Sequence, residues 1–255
     1  MLSLRSLAPF ALALAVSLPA VPASAQSFTD AQRKDIEKVV RDYLIAHPEV
    51  LEEASVELGK RQAAAEMTKQ KAAVEKHADA LFNSPHGVVL GNPKGDVNFV
   101  EFFDYNCGYC KRAMGDMLDL IKSDPNLRVT LKEFPVLSPG SVEAARVAIA
   151  VHMQDPSGKK YLQFHQKLLG GQGQADKARA LAAAKEVGAD MARLDKDLTS
   201  PQINETLKEN FKIAEDMGLT GTPSYVIGKD VVVGAVGLAD LTKKVALARC
   251  GKESC

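Results

Sequence analysis

Two of the four cysteines stand as Cys107-Gly108-Tyr109-Cys110. The pair falls where an apolar run, Val97 to Phe103, hands over to a helical pattern from Gly108 to Ser123. A cysteine at the first turn of a helix faces unpaired backbone N–H groups and the positive end of the macrodipole, and both stabilise a thiolate. Thiolate is the attacking species in disulfide exchange, so Cys107 is the expected exposed nucleophile. Cys110, one turn further in, can close a ring with it and serves as the more buried resolving thiol. Two other uses compete. Half of a structural zinc site, with Cys250 and Cys255 as the other half, would need knuckle-turn spacings that a Cys-x4-Cys after a helix does not supply. An inert disulfide closing so small a ring would constrain almost nothing in the unfolded chain. No metal and no cofactor is therefore expected.

Glu101 is the only carboxylate in the apolar run that precedes Cys107. A buried acid has a raised pKa, so it can accept and return the proton of Cys110. The alternative is an exposed residue near a strand end. Lys132, on the next strand-like run, is either its partner or a surface lysine. Thr222 and Pro223 precede a hairpin pattern. A proline there can simply begin a strand; in a thioredoxin-like core it faces the reactive cysteine, with the Thr222–Pro223 bond cis. Backbone beside Pro223, with Gly108 and Tyr109 across the site, would then contact an extended substrate segment as an added strand does. Cys250 and Cys255 are too far apart to bridge on a continuous helix, but Gly251 can break it. A small disulfide is the first expectation there, because exported thiols tend to oxidise. Intermolecular pairing or access to a metal stays open.

The elements around these residues set the organisation. Arg5, the apolar run Leu7 to Val21 and Ala23-Ser24-Ala25 form a signal-peptide pattern with cleavage after Ala25. The run is shorter than the roughly 20 residues of a spanning helix, and Pro9 and Pro19 interrupt it. Residues 26–82 read as a helical extension. Thr29 and Gln32 have capping-box spacing, Ile36, Val39, Val40, Tyr43 and Leu44 form a stripe, and Pro48 makes a break. Lys60 to Lys76 is strongly helix-forming but poor in large apolar residues, which fits a stalk or part of an assembly. The breaker cluster at 83–87 is the expected domain boundary. Residues 88–249 then read as strand, helix, strand, an all-helical stretch at about 138–217, an antiparallel hairpin and a closing helix, followed by a cysteine-containing tail at 250–255. The fold class is α/β: a thioredoxin-like core with an all-helical insertion, plus the N-terminal extension. Charge is balanced, with 32 basic and 32 acidic residues, so neither a nucleic-acid footprint nor a polybasic membrane patch is expected.

The stretch Glu101 to Cys110, the helical insertion and Gly221-Thr222-Pro223 together resemble the DsbA family of periplasmic oxidoreductases, and above all its ScsC-like subgroup with an N-terminal helical extension. Gly91-Asn92-Pro93, Phe134-Pro135-Val136-Leu137, and Tyr43-Leu44 with His47-Pro48-Glu49-Val50-Leu51 also look like that subgroup. The resemblance implies Cys107 as attacking thiol, Cys110 as resolving thiol, Thr222-Pro223 as the cis loop and Glu101 as the buried acid. It implies periplasmic clients with thiols or disulfides, a membrane redox partner, and a homo-oligomer through the N-terminal helices, since some ScsC-like relatives are trimers. One departure matters: Gly108-Tyr109 stands where the strongly oxidising members carry Pro-His, which removes one source of thiolate stabilisation and implies a milder oxidant. Gly-Tyr with Thr before the cis-proline is instead similar to DsbC-type isomerases. The leading function is disulfide exchange in exported proteins, with its direction open. The alternative is a copper-binding or copper-protective module using the same two thiolates as soft Cu(I) ligands, although no Met- or His-rich loop stands beside them. A holdase chaperone acting through the stalk is a third reading.

Overall fold

The computed structural model describes residues 28–255. The signal-peptide pattern lies outside the described residues. The chain divides into two compact units between Leu58 and Gly59. The first holds α1 (Asp30–Ala46) and the beginning of α2 (Glu49–Lys76). Thr29 and Gln32 close a reciprocal capping box at the start of α1. Ile36, Val39, Val40 and Tyr43 on α1 and Leu51, Val56 and Leu58 on α2 are all exposed.

The second unit begins inside α2, not at the 83–87 breaker cluster. Packing explains the difference. Ala73 and Val74 of α2 and Leu81 of the short α3 (Ala78–Phe82) are buried in one cluster with Val100, Phe102, Phe134, Ile213 and Met217. The last turns of α2 therefore line a core, and the 83–87 segment is a turn within the unit. Surface ion pairs Glu75–Lys229 (2.9 Å) and Lys76–Asp216 (2.8 Å) flank the contact.

Five strands form one sheet in the order β1-β3-β2-β4-β5. They are β1 (Val88–Gly91), β2 (Val97–Phe103), β3 (Leu127–Glu133), β4 (Ser224–Ile227) and β5 (Asp230–Val233). Strands β2 and β3 are parallel and joined by α4 (Gly108–Ser123); the other pairings are antiparallel. β1 escaped the sequence pattern because it is a four-residue edge strand ending at Gly91. β3 is buried on both faces like β2. In β2, Phe99 and Phe103 point into one cluster, and Val100 and Phe102 into the other. Glu101 therefore shares its face with Phe99 and Phe103. The β4–β5 turn begins at Gly228, whose φ of +60° suits glycine.

Between β3 and β4 lie α5 (Pro139–Gln154), α6 (Lys159–Gly170), α7 (Lys177–Glu186), α8 (Met191–Asp197) and α9 (Pro201–Asp216). The seven-residue α8 is too short to carry a periodic signal of its own. α5, rich in Ala and Val, is buried from Ala144 to His152 except for Arg146. α10 (Leu238–Cys250) closes the fold on Leu241, Val245 and Ala246.

Candidate active site

Cys107 is the N-cap of α4, and its Sγ accepts the Cys110 N–H at 3.3 Å. The thiol in turn donates to the Thr222 carbonyl at 3.1 Å. The Thr222–Pro223 peptide is cis, so the loop before β4 is laid against the start of α4. Cys107 is only 6 % exposed, which corrects the expectation of a nucleophile standing proud of the surface. It sits in the wall of a cleft of about 500 Å³ lined also by Tyr105, Lys111, Leu137, Leu168 and Gln174. Gly108 and Tyr109 flank it; Tyr109 is 59 % exposed, with the Arg112 guanidinium 4.4 Å above its ring.

The electrostatics split the two thiols. Hydrogen bonds from the Cys110 thiol, then from the Thr222 side chain and the N–H groups of Cys110 and Tyr109, pull Cys107 from its ordinary 9 down to about 5 against the opposing effect of burial. Thr222 Oγ1 is buried with no other partner, which leaves it free to donate to the thiolate. Cys110 is fully buried, and burial pushes its pKa far up. Of the pair, only Cys107 is a thiolate at neutral pH.

Glu101 is buried on β2, and burial, followed by the charges of Cys107 and Asp116, raises its pKa to about 8. Its Oε2 has no hydrogen-bond partner. Lys132 is not its partner. In register it lies opposite Phe102, one residue out of phase with Glu101, and so on the other face of the sheet. Nor is it a surface residue: it is buried, with Nζ 3.1 Å from Glu209 and 3.2 Å from Asn210 of α9. Cys250 and Cys255 form a disulfide, permitted by the left-handed turn at Gly251 (φ +75°) that ends α10.

Three further residues hold the site, and motif reading passed them over. Asp104 accepts the Asn106 N–H at 2.7 Å and the Leu137 N–H at 2.9 Å. Asn106 exchanges two bonds with the backbone of Ala175, at 2.6 and 2.9 Å, and donates to Ser141 Oγ at 2.9 Å. Together they pin the loop before Cys107 to the helical insertion. Their only sequence signal is that they are polar residues directly ahead of the cysteine pair. The third is Tyr225, opposite Glu101 on β4, which reads simply as a strand aromatic.

Residues 99–246 match the DSBA-like thioredoxin domain family. The chain belongs to that family. It has the thiol–disulfide oxidoreductase fold of the DsbA and ScsC proteins: a thioredoxin-like core with a helical insertion. Residues 32–65 match the N-terminal domain of the copper resistance protein ScsC. Among solved structures, a thioredoxin-like oxidoreductase from Silicibacter pomeroyi is 43 % identical over 67 % of this chain and 96 % of that one, with a TM-score of 0.64. Proteus mirabilis ScsC in a transitional conformation is 29 % identical over 88 % of this chain and all of that one, with a TM-score of 0.66. The thiol-disulfide exchange protein alpha-DsbA2 of Wolbachia pipientis is 29 % identical over 69 % and 94 %, with a TM-score of 0.64. A curated relative, a Na(+)/H(+) antiporter NhaA 1 of Salinispora arenicola, is 25 % identical over 64 % of this chain, and the chain spans 25 % of that protein's length. Among the described residues, no helix is long and apolar enough to cross a membrane.

Proposed function

We propose that this DsbA-like protein exchanges disulfides in exported proteins, with Cys107 attacking and Cys110 resolving. One observation carries the reading: an acidified sulfur caps a helix directly against the Thr222-Pro223 loop. The Cys107 thiolate attacks a client disulfide and forms a mixed disulfide. Cys110 then gives its proton to Glu101 and attacks Cys107 Sγ, releasing the client thiol. The Thr222 N–H has no acceptor among the described residues, so an extended client segment can pair with it beside Pro223.

Export to the periplasm is supported by the pattern ending at Ala25 and by the similarity to a periplasmic thioredoxin-like protein from Salmonella enterica serovar Typhimurium, 28 % identical over 68 % of this chain. A membrane redox partner would reset the cysteine pair. The exposed stripe Ile36, Val39, Val40 and Tyr43 supports assembly with further copies of this chain, and an assembly favours isomerase or reductase work over simple oxidation. The tests are insulin reduction and refolding of scrambled ribonuclease, beside sedimentation of the wild type and of an Ile36→Asp, Val40→Asp variant. Activity in both assays that vanishes with Cys107→Ser, and an oligomer dispersed by the double variant, are the expected results. Full activity of Cys107→Ser overturns the exchange reading, and a monomeric wild type overturns the isomerase direction.

A further inference from the structure

Glu101 on β2 and Tyr225 on β4 are direct cross-strand partners. Side chains so paired lie on one face of a sheet, with Cβ atoms about 4.5–5.5 Å apart. Both are buried, at 3 % and 1 % exposure, and each carries a polar atom, Glu101 Oε2 and Tyr225 Oη, that is buried with no hydrogen-bond partner. The Tyr225 ring is held by Phe99, with centroids 5.3 Å apart. Orphaned buried polar atoms are uncommon, and two of complementary type on paired residues beside a redox centre call for a state that uses them.

We propose that Tyr225 is a positioning residue for the resolving step, its hydroxyl donating to the Glu101 carboxylate so that the carboxylate is ready to take the proton of Cys110. This rests on the role of Glu101 given above. In the mixed disulfide, the proton of Cys110 passes to Glu101, and the Cys110 thiolate attacks Cys107 Sγ. The Cys107–Cys110 bond forms as the bond to the client breaks. The bonding pair leaves on the client sulfur, which takes up a proton. Tyr225 itself stays protonated throughout, because burial and the charges of Glu101, Cys110, Asp116 and Cys107 all disfavour a phenolate. The one buried lysine or arginine among the described residues, Lys132, is on the other face of the sheet and bonded to Glu209.

The test is stopped-flow mixing of the reduced protein with an aromatic disulfide whose thiolate absorbs visible light. The first release reports attack by Cys107 and the second reports resolution by Cys110. In the wild type the second phase rises with pH as Glu101 ionises, about a midpoint that burial and the Asp116 charge hold above the ordinary carboxylate value; the Cys107 charge no longer contributes in the mixed disulfide. Tyr225→Phe should move that midpoint up by about one unit and slow the second phase about tenfold at pH values below it, a loss recovered at high pH. Its first phase should match the wild type, which also shows that the fold is intact. Glu101→Gln should abolish the rising limb, and adding Tyr225→Phe to it should change nothing further. A Tyr225→Phe profile that superimposes on the wild type, while Glu101→Gln loses the limb, refutes the role of Tyr225 and leaves that of Glu101 standing. A Glu101→Gln protein that keeps the limb overturns both.

Discussion

The acidity of Cys107 is traced first to a hydrogen bond from the Cys110 thiol, and that assignment is open to a direct perturbation. Cys110→Ala removes the donor, whereas Cys110→Ser keeps a hydroxyl donor at the same backbone position. The Cys110 N–H, 3.3 Å from Cys107 Sγ, survives in both. A hydrogen bond to a charged acceptor contributes about 1.5–3 kcal/mol, which corresponds to about one to two pKa units. Starting from about 5, the Ala variant should titrate near 6.5 and the Ser variant should stay within about half a unit of the wild type. The assay is the ultraviolet absorbance of the thiolate followed against pH. Alkylation rates are a poor substitute. A thiolate of higher pKa is the better nucleophile, with a Brønsted slope of about 0.4–0.5, and at neutral pH this outweighs the small loss in ionised fraction, so the rate does not follow the pKa. Linkage adds a second readout. The folded pKa lies below the ordinary 9, so the reduced protein gains stability over Cys107→Ser as pH rises from about 5 toward 9 and loses that gain as pH falls through about 5. Ala and Ser variants that titrate together would refute the assignment, leaving the helix terminus and Thr222 to account for the acidity.

Other consequences can be measured on the same protein. Glu101 has its pKa raised from 4.5 to about 8, so its contribution to stability should fall by up to about 1.4 kcal/mol per pH unit across that window, against the opposite contribution of Cys107. In a Cys107→Ser background, which lacks that opposing titration, Glu101→Gln should flatten the decline in thermal unfolding. Glu209→Gln removes the carboxylate facing the buried Lys132 ammonium, leaving it Asn210, and should cost about 1–3 kcal/mol in denaturant unfolding, more than Lys132→Met, which removes the charge itself. Asn106→Ala should speed hydrogen exchange at the Ala175 amide and destabilise the fold by about 2 kcal/mol, because the backbone of Ala175 loses both its bonds to the side chain.

Where sequence and structure agree, the signal is local. The run Val97–Phe103 followed by a helix starting at Gly108 placed β2, α4 and the cysteine pair together, since each element is long and regular enough to declare its own period. Gly251 likewise marked the turn that lets Cys250 meet Cys255. What stayed hidden depends on partners distant in sequence. Lys132 looks like a surface residue until Glu209 and Asn210 arrive from α9, and Ala73 and Val74 look like stalk until Val100 and Ile213 are packed against them. Tyr225 acquires meaning only from its register with Glu101.

The position of β2 in the sheet has a consequence for synthesis. One neighbour, β3, follows closely in the chain, but the other, β4, comes only after the whole helical insertion. Throughout that interval a nascent chain carries Val-Asn-Phe-Val-Glu-Phe-Phe as an open edge, the kind of segment that recruits other strands into aggregates. Its single charge is Glu101, still wet and ionised while that edge is open. The same carboxylate can thus act first as a gatekeeper against misassociation, and becomes a proton acceptor only once β4 has sealed it in.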